Sequence, residues 1–215
     1  MQYEEILPSG VRIVSTKAEH AEQLGALQKE VFPTLADDEL MRPEHYIKHL
    51  ELFPEGQFVA LDGDKVIGMT STMCYDYDLE HPHHHTFMEI ISGGWMTKHD
   101  PNGNWLYGLD MGTDVHYRGQ GIARALYRAR QLRAQSLGLK GQLTAGMMSG
   151  YGELKEIVTA NQYLELVRLK KIFDPTVSMQ LKVGFEVRGI LPEYLNDPVC
   201  ANYCALLVLD AHKTV

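Results

Sequence analysis

Residues 109–123, Leu-Asp-Met-Gly-Thr-Asp-Val-His-Tyr-Arg-Gly-Gln-Gly-Ile-Ala, join an acid in an apolar run to a glycine turn and the start of a helical pattern. A strand that breaks into such a turn and then a helix leaves several N–H groups unpaired at the positive end of the helix dipole. That arrangement binds phosphate with main chain alone. Arg118, Gly119, Gln120, Gly121, Ile122 and Ala123 form the turn, and the two glycines let an anion approach the backbone closely. From Arg118 to Lys140 there are six basic residues and no acid, although the chain carries 20 Lys and Arg against 28 Asp and Glu. A basic helix directly behind the turn supports an anionic ligand. Asp110, inside the apolar run, is costly there unless it has a partner or a task. Glu89, in Phe87-Met-Glu-Ile-Ile91, is a second acid of that kind, whereas Asp114 is placed to cap the turn.

The spacing narrows the anion. A dinucleotide fingerprint needs a third glycine where Arg124 stands, and a P-loop needs Gly-Lys-Ser/Thr at its end. The glycine spacing therefore speaks against a dinucleotide-binding oxidoreductase. His81-Pro-His-His-His85 offers imidazoles, but neighbouring histidines on a loop rarely converge on one ion, so no metal is expected there. Gly93-Gly-Trp95 and Trp105-Leu-Tyr107 bracket a polar loop and could wall an acceptor pocket or belong to the core.

The elements that must position these residues follow from periodicity. Val11–Thr16 alternates as a strand, and residues 18–32 and 37–52 read as amphipathic helices that Pro33 and Pro54 end. Phe58–Leu61 and Val66–Met69 flank an Asp-Gly turn as a hairpin. Residues 105–115 read as a fourth strand, with Gly112 breaking it at a bulge. Residues 122–137 read as a helix with Ile122, Leu126, Ala129 and Leu132 inward and Gly138 beyond its end. Gln142–Met148 is a fifth strand, residues 153–172 a long helix, Val187–Ile190 a sixth strand after Gly184-Phe185, and Ala201–Leu209 the last.

In this order, and with Arg118, Gly121 and Ala123 filling the pattern Gln/Arg-x-x-Gly-x-Gly/Ala, the chain resembles the GNAT superfamily of N-acetyltransferases over residues 11–209. Tyr107-Gly-Leu-Asp110, Gly150-Tyr151, Phe173–Leu181 and Leu191-Pro-Glu-Tyr194 bring it nearest to the acetyltransferase domains that some bacteria fuse to carbon–nitrogen hydrolases. The resemblance implies an α/β (α+β) fold, a mixed, mostly antiparallel central sheet of six to seven strands with helices on both faces. It implies acetyl-CoA as co-substrate, with the strand at Met111, Gly112 and Thr113 pairing the pantetheine arm and the turn holding the pyrophosphate. The reaction implied is attack of a primary amine on the thioester in a ternary complex, with Asp110 as base and Glu89 as runner-up. Many members carry a Tyr four residues before Gly-Phe as acid to the thiolate. Here that position is Gln180, and Tyr151 is the substitute expected. The competing expectation is a non-catalytic acyl-CoA sensor on the same fold, for which the missing Tyr is the sequence support.

Composition bounds the rest. At 215 residues and 45% hydrophobic, a single domain spanning 1–215 is expected. The longest apolar run, Ala205–Leu209, is too short for a bilayer, and the acidic N-terminus does not read as a signal, so a cytoplasmic protein without membrane association is expected. Cys74, Cys200 and Cys204 are odd in number, and the last two read as buried apolar groups. A net charge of −8 argues against nucleic acid and favours a cationic amine, from a small molecule or a peptide. A homodimer is a further expectation, with the stretch 153–172 as its support or as a lid over the acceptor.

Overall fold

Ten strands and seven α-helices make up the chain, which a computed structural model describes from residue 3 to residue 215. In order they are β1 (Glu4–Ile6), β2 (Arg12–Ser15), α1 (Ala21–Val31), α2 (Pro43–Leu52), β3 (Phe58–Asp62), β4 (Lys65–Thr70), β5 (Thr72–Tyr75) and α3 (Phe87–Ile90). Then follow β6 (Trp105–Gly108), β7 (Gly112–Thr113), α4 (Ile122–Ser136), β8 (Gly141–Met147), α5 (Tyr151–Leu154), α6 (Ala160–Arg168), α7 (Val177–Val183), β9 (Glu186–Leu191) and β10 (Cys204–Asp210). The strands form two five-stranded sheets, β1-β2-β3-β4-β7 and β5-β6-β8-β10-β9. All pairings are antiparallel except β6 with β8. The two sheets share two bent strands: the chain passes from β4 to β5 through Ser71, and from β6 to β7 through Leu109, Asp110 and Met111.

Alternation along β3 decides which layer each side chain joins. Phe58 and Ala60 pack with Ile67 and with Ile122, Ala125, Leu126 and Ala129 of α4, whereas Val59 and Leu61 face the larger core under α1 and α2. β10, Cys-Ala-Leu-Leu-Val-Leu-Asp, is buried over its first six residues because β8 and β9 flank it and helices cover its faces. Gly184, at φ 118°, ends α7 in the left-handed conformation that glycine adopts without cost.

The structure corrects several sequence expectations. The helix expected over 37–52 is a single tight turn at Asp37–Glu39 followed by α2, because Pro43 at the first helical position starts the helix anew. Leu132, expected inward, is 47% exposed, since it sits on the outer face of α4. The long helix at 153–172 is two, α5 and α6, and Thr159 starts the second by accepting from the Gln162 amide while Gln162 accepts from Thr159. The fourth strand is interrupted at Leu109–Met111 and not at Gly112, which pairs with Met69 and lies so close to Val31 that a Cβ would stand 2.7 Å from its Cγ2. No helix is long and apolar enough to cross a membrane among the described residues.

Candidate active site

The parallel pairing of β6 with β8 stops at Gly108 and Thr144. Beyond that point β7 turns away to pair with β4, while β8 continues beside β10. The strands therefore open as a V whose apex lies at Gly108 and Thr144, and the main chain at Met111–Thr113 forms one arm. Thr113 Oγ1, on that arm, is buried without a hydrogen-bond partner.

Asp110 sits in the interruption and repairs it. One carboxylate oxygen accepts the amide of Ser71, taking the place of a ladder carbonyl, and the other accepts from Gln28 Nε2 at 2.9 Å and Tyr46 Oη at 3.1 Å. Its own carbonyl accepts from Thr70 Oγ1 at 2.8 Å. Burial pushes the Asp110 carboxyl above the ordinary carboxylate range, against the Ser71 amide, Tyr46 and Gln28, which favour the charged form. Gln28 comes from α1 and Tyr46 from α2, so Asp110 faces these two helices. The α1–α2 loop is tied to the β9–β10 loop by Ala36 N to Asn196 O at 3.0 Å, Asn196 N to Glu39 at 2.8 Å and Thr34 to Asp197 at 3.0 Å. Asp37 and Asp38 stand exposed on it.

On the other side of the V, the turn Arg118–Gly121 leads into α4. Gly121 precedes the helix at φ 82°, no side chain caps the first turn, and no acid lies in it. A Cβ on Gly119 or Gly121 would meet nothing within 4 Å, so the turn is open around both glycines. The basic run behind the turn divides by structure. Arg118 and Arg124 are exposed at the turn, whereas Arg128 is ion-paired with Glu5 and Arg133 donates to the Glu55 carbonyl at 2.8 Å. Only the front of the run can serve a ligand at the turn.

The inner face of α4 carries groups that sequence reasoning missed. Tyr127 Oη accepts from Gln180 Nε2 at 3.1 Å, so Gln180, standing where a Tyr was expected, presents a tyrosine from another helix. Burial raises the Tyr127 hydroxyl, with Arg130 and Gln180 pulling the other way. Arg130 is 1% exposed and reaches Gly108 at the apex. An arginine at an inward helical position, three residues from Tyr127, was the available signal. The basic run hid it.

Tyr151, the acid expected from sequence, packs instead against Tyr163 and Tyr203, with ring centroids 5.4 and 5.3 Å away. It lines a cavity of about 800 Å³ with Ile190, Pro192 and the α5–α6 turn. Glu89 is exposed and caps α3, accepting from the Thr86 amide at 2.8 Å; Thr86-Phe-Met-Glu89 is a legible capping box that the apolar run obscured. Asp114 caps the tight turn at Val115–Tyr117 and pairs with Lys65 at 2.8 Å. The histidine run scatters. His81 meets Asp78, His84 meets the Pro192 carbonyl, and buried His85 bonds the His83 carbonyl and Tyr107. Trp105 and Tyr107 are core residues, and Trp95 is 43% exposed against His45. All three cysteines are buried and free.

Comparison with known proteins bears on the family and the fold. The family model described as acetyltransferase (GNAT) family matches residues 21–147. The chain is 37% identical over 182 residues to "Probable hydrolase YhcX" of Bacillus subtilis (strain 168), covering 85% of this chain and 35% of that protein, so it spans about a third of that relative's length. It is 30% identical over 187 residues to "Uncharacterized N-acetyltransferase YkwB" of the same organism, covering 86% of this chain and 82% of that one. Among solved structures, the loading GNATL domain of CurA from Lyngbya majuscula superposes with a TM-score of 0.76 at 18% identity, covering 94% of this chain and 98% of that one. The GphF GNAT-like decarboxylase in complex with isobutyryl-CoA also gives 0.76, at 17% identity, covering 94% and 100%. At such identities these two likenesses speak for the fold.

Proposed function

The chain belongs to the acetyltransferase (GNAT) family, and from that premise we propose that it transfers an acyl group from acyl-CoA to a primary amine, with acetyl-CoA the simplest donor. The observation that carries the reading is the pairing of an uncapped, acid-free helix start at Gly121 with the V between β7 and β8. The first takes a pyrophosphate; the second takes an extended arm along Met111, Gly112 and Thr113. Arg118 and Arg124 add charge at the turn, and Gly119, Gln120, Gly121, Ile122 and Ala123 supply main chain.

The amine nitrogen attacks the thioester carbonyl, a C–N bond forms, the C–S bond breaks, and the sulfur leaves as thiolate. Asp110 takes the proton from the ammonium on the α1–α2 side, and the net charge of −8 over the chain suits a cationic acceptor. Its raised pKa gives the carboxylate more proton affinity than an exposed acid has. Tyr127, oriented by Gln180, protonates the thiolate; Tyr151 is the alternative acid and Tyr151→Phe the control. The acceptor is a small-molecule or peptide amine.

The test is thermal unfolding of the full chain with CoA, acetyl-CoA, NAD and ATP added separately. A ligand that binds only the folded state adds roughly 2.7 kcal/mol at a hundredfold over Kd. The midpoint rises with CoA species and not with NAD; the reverse would mean that the turn has been misread. Thiol release over a panel of amines then identifies the acceptor.

A further inference from the structure

Arg130 heads the fully buried large side chains, and its guanidinium is only half engaged. Nη1 lies 3.5 Å from Thr70 Oγ1, while Nε and Nη2 have no partner. Its electrostatic neighbours are Tyr127 and Asp110, and no carboxylate forms an ion pair with it among the described residues. Arginine cannot shed its charge in a protein, so an unpaired buried guanidinium is among the costliest groups a fold can carry.

The position of the free edge is informative. A Cβ on Gly108 would collide with Nη2, Cζ and Nη1, so the guanidinium rests on the apex of the V, where β6 parts from β8. On the neighbouring strand Gly146 leaves the same kind of room, and there Gln180 Oε1 is buried without a partner. Along α4 the functional groups come in order: the anion-binding turn at Gly121, then Tyr127, then Arg130. Arg130 stands nine residues beyond Gly121, roughly 13 Å down the helix at 1.5 Å per residue. A donor held by its pyrophosphate at the turn would point its acyl end, and not its phosphates, at this edge.

We propose that Arg130 anchors a carboxylate on the acyl group, so that the preferred donor is an acyl-CoA with a terminal carboxylate, of the malonyl or succinyl class. Nε and Nη2 form one edge of the guanidinium fork, the edge that a carboxylate meets with two parallel hydrogen bonds. This deepens the reading of the V as an acyl-CoA slot and rests on it.

The experiment is calorimetric titration of the full chain and of Arg130→Gln with CoA, butyryl-CoA and malonyl-CoA. In the wild type malonyl-CoA binds at least about tenfold more tightly than its uncharged counterpart butyryl-CoA, as expected for a charge-assisted bidentate contact. Arg130→Gln brings that ratio to about one with the affinity for CoA retained, and Arg130→Lys restores part of it. A wild-type ratio within twofold, with CoA bound, overturns the proposal and leaves the acyl-CoA slot intact. So does an Arg130→Gln protein that keeps the preference. If Arg130→Gln does not fold, the wild-type ratio decides. If CoA itself does not bind, the slot reading fails and this inference with it. A guanidinium serving the thioester oxygen would instead leave the two donors equal in affinity, which also overturns it.

Discussion

The carboxylate of Asp110 satisfies three donors from three parts of the chain, and its chemistry follows from that crowding. Asp110→Asn preserves shape and hydrogen bonding, because Gln28 can flip its amide and Tyr46 can rotate its hydroxyl. We expect it to lower kcat by about a hundredfold or more while leaving CoA affinity unchanged, a split that steady-state kinetics beside calorimetry would resolve. The wild-type rate should rise with pH through the raised pKa of Asp110, and the Asn variant should lose that limb. Stability moves the other way. The folded carboxyl binds its proton more tightly than the unfolded one, so its stabilising contribution is full below the ordinary pKa of 3.8 and is lost as pH rises through the folded value. The sequence marked Asp110 because a charge in an apolar strand needs a reason. It could not mark Gln28 and Tyr46, which lie 82 and 64 residues away and meet it only in the fold.

α4 shows how far an element can be read before it is packed. Its start at Gly121, its inward Ile122, Leu126 and Ala129 and its glycine ending were all legible, because each is local. The partition of its arginines was not. Arg118→Ala should weaken CoA binding by about two- to fivefold, the range of an exposed charge at a helix start, and Arg128→Ala should leave affinity unchanged. Gly121→Ala should cost about 1 kcal/mol through its left-handed φ of 82°, since nothing nearby would clash with the new methyl. Chemical denaturation beside CoA titration distinguishes these effects. Elsewhere, α6 and α3 carried legible starts, Thr159-Ala-Asn-Gln162 and Thr86-Phe-Met-Glu89, which apolar periodicity masked.

For the whole molecule, burial of neutral histidines shapes the response to acid. His49, fully buried on α2, donates from Nε2 to the Gly94 carbonyl and has its pKa lowered to about 4 by burial. His20, His45, His85 and His99 are lowered by burial too. Between pH 6.5 and 4 the unfolded chain binds more protons, so stability falls as pH falls through that window, by on the order of 3 kcal/mol from His49 alone. Urea midpoints should therefore drop well above the carboxylate range, and His49→Gln should flatten the drop; an unchanged slope would refute the assignment. By itself the sequence, in which β1, β5 and α3 went unread, determined the glycine turn and the main strands and helices around it. Those depend on backbone freedom, side-chain period and charge within one or two turns of chain. Only the tertiary structure decided where the strands part, what surrounds Asp110, that Tyr127 answers Gln180, and that Arg130 keeps one edge free. Each of those is a meeting of residues far apart in the chain, set by how the two sheets and their helices pack.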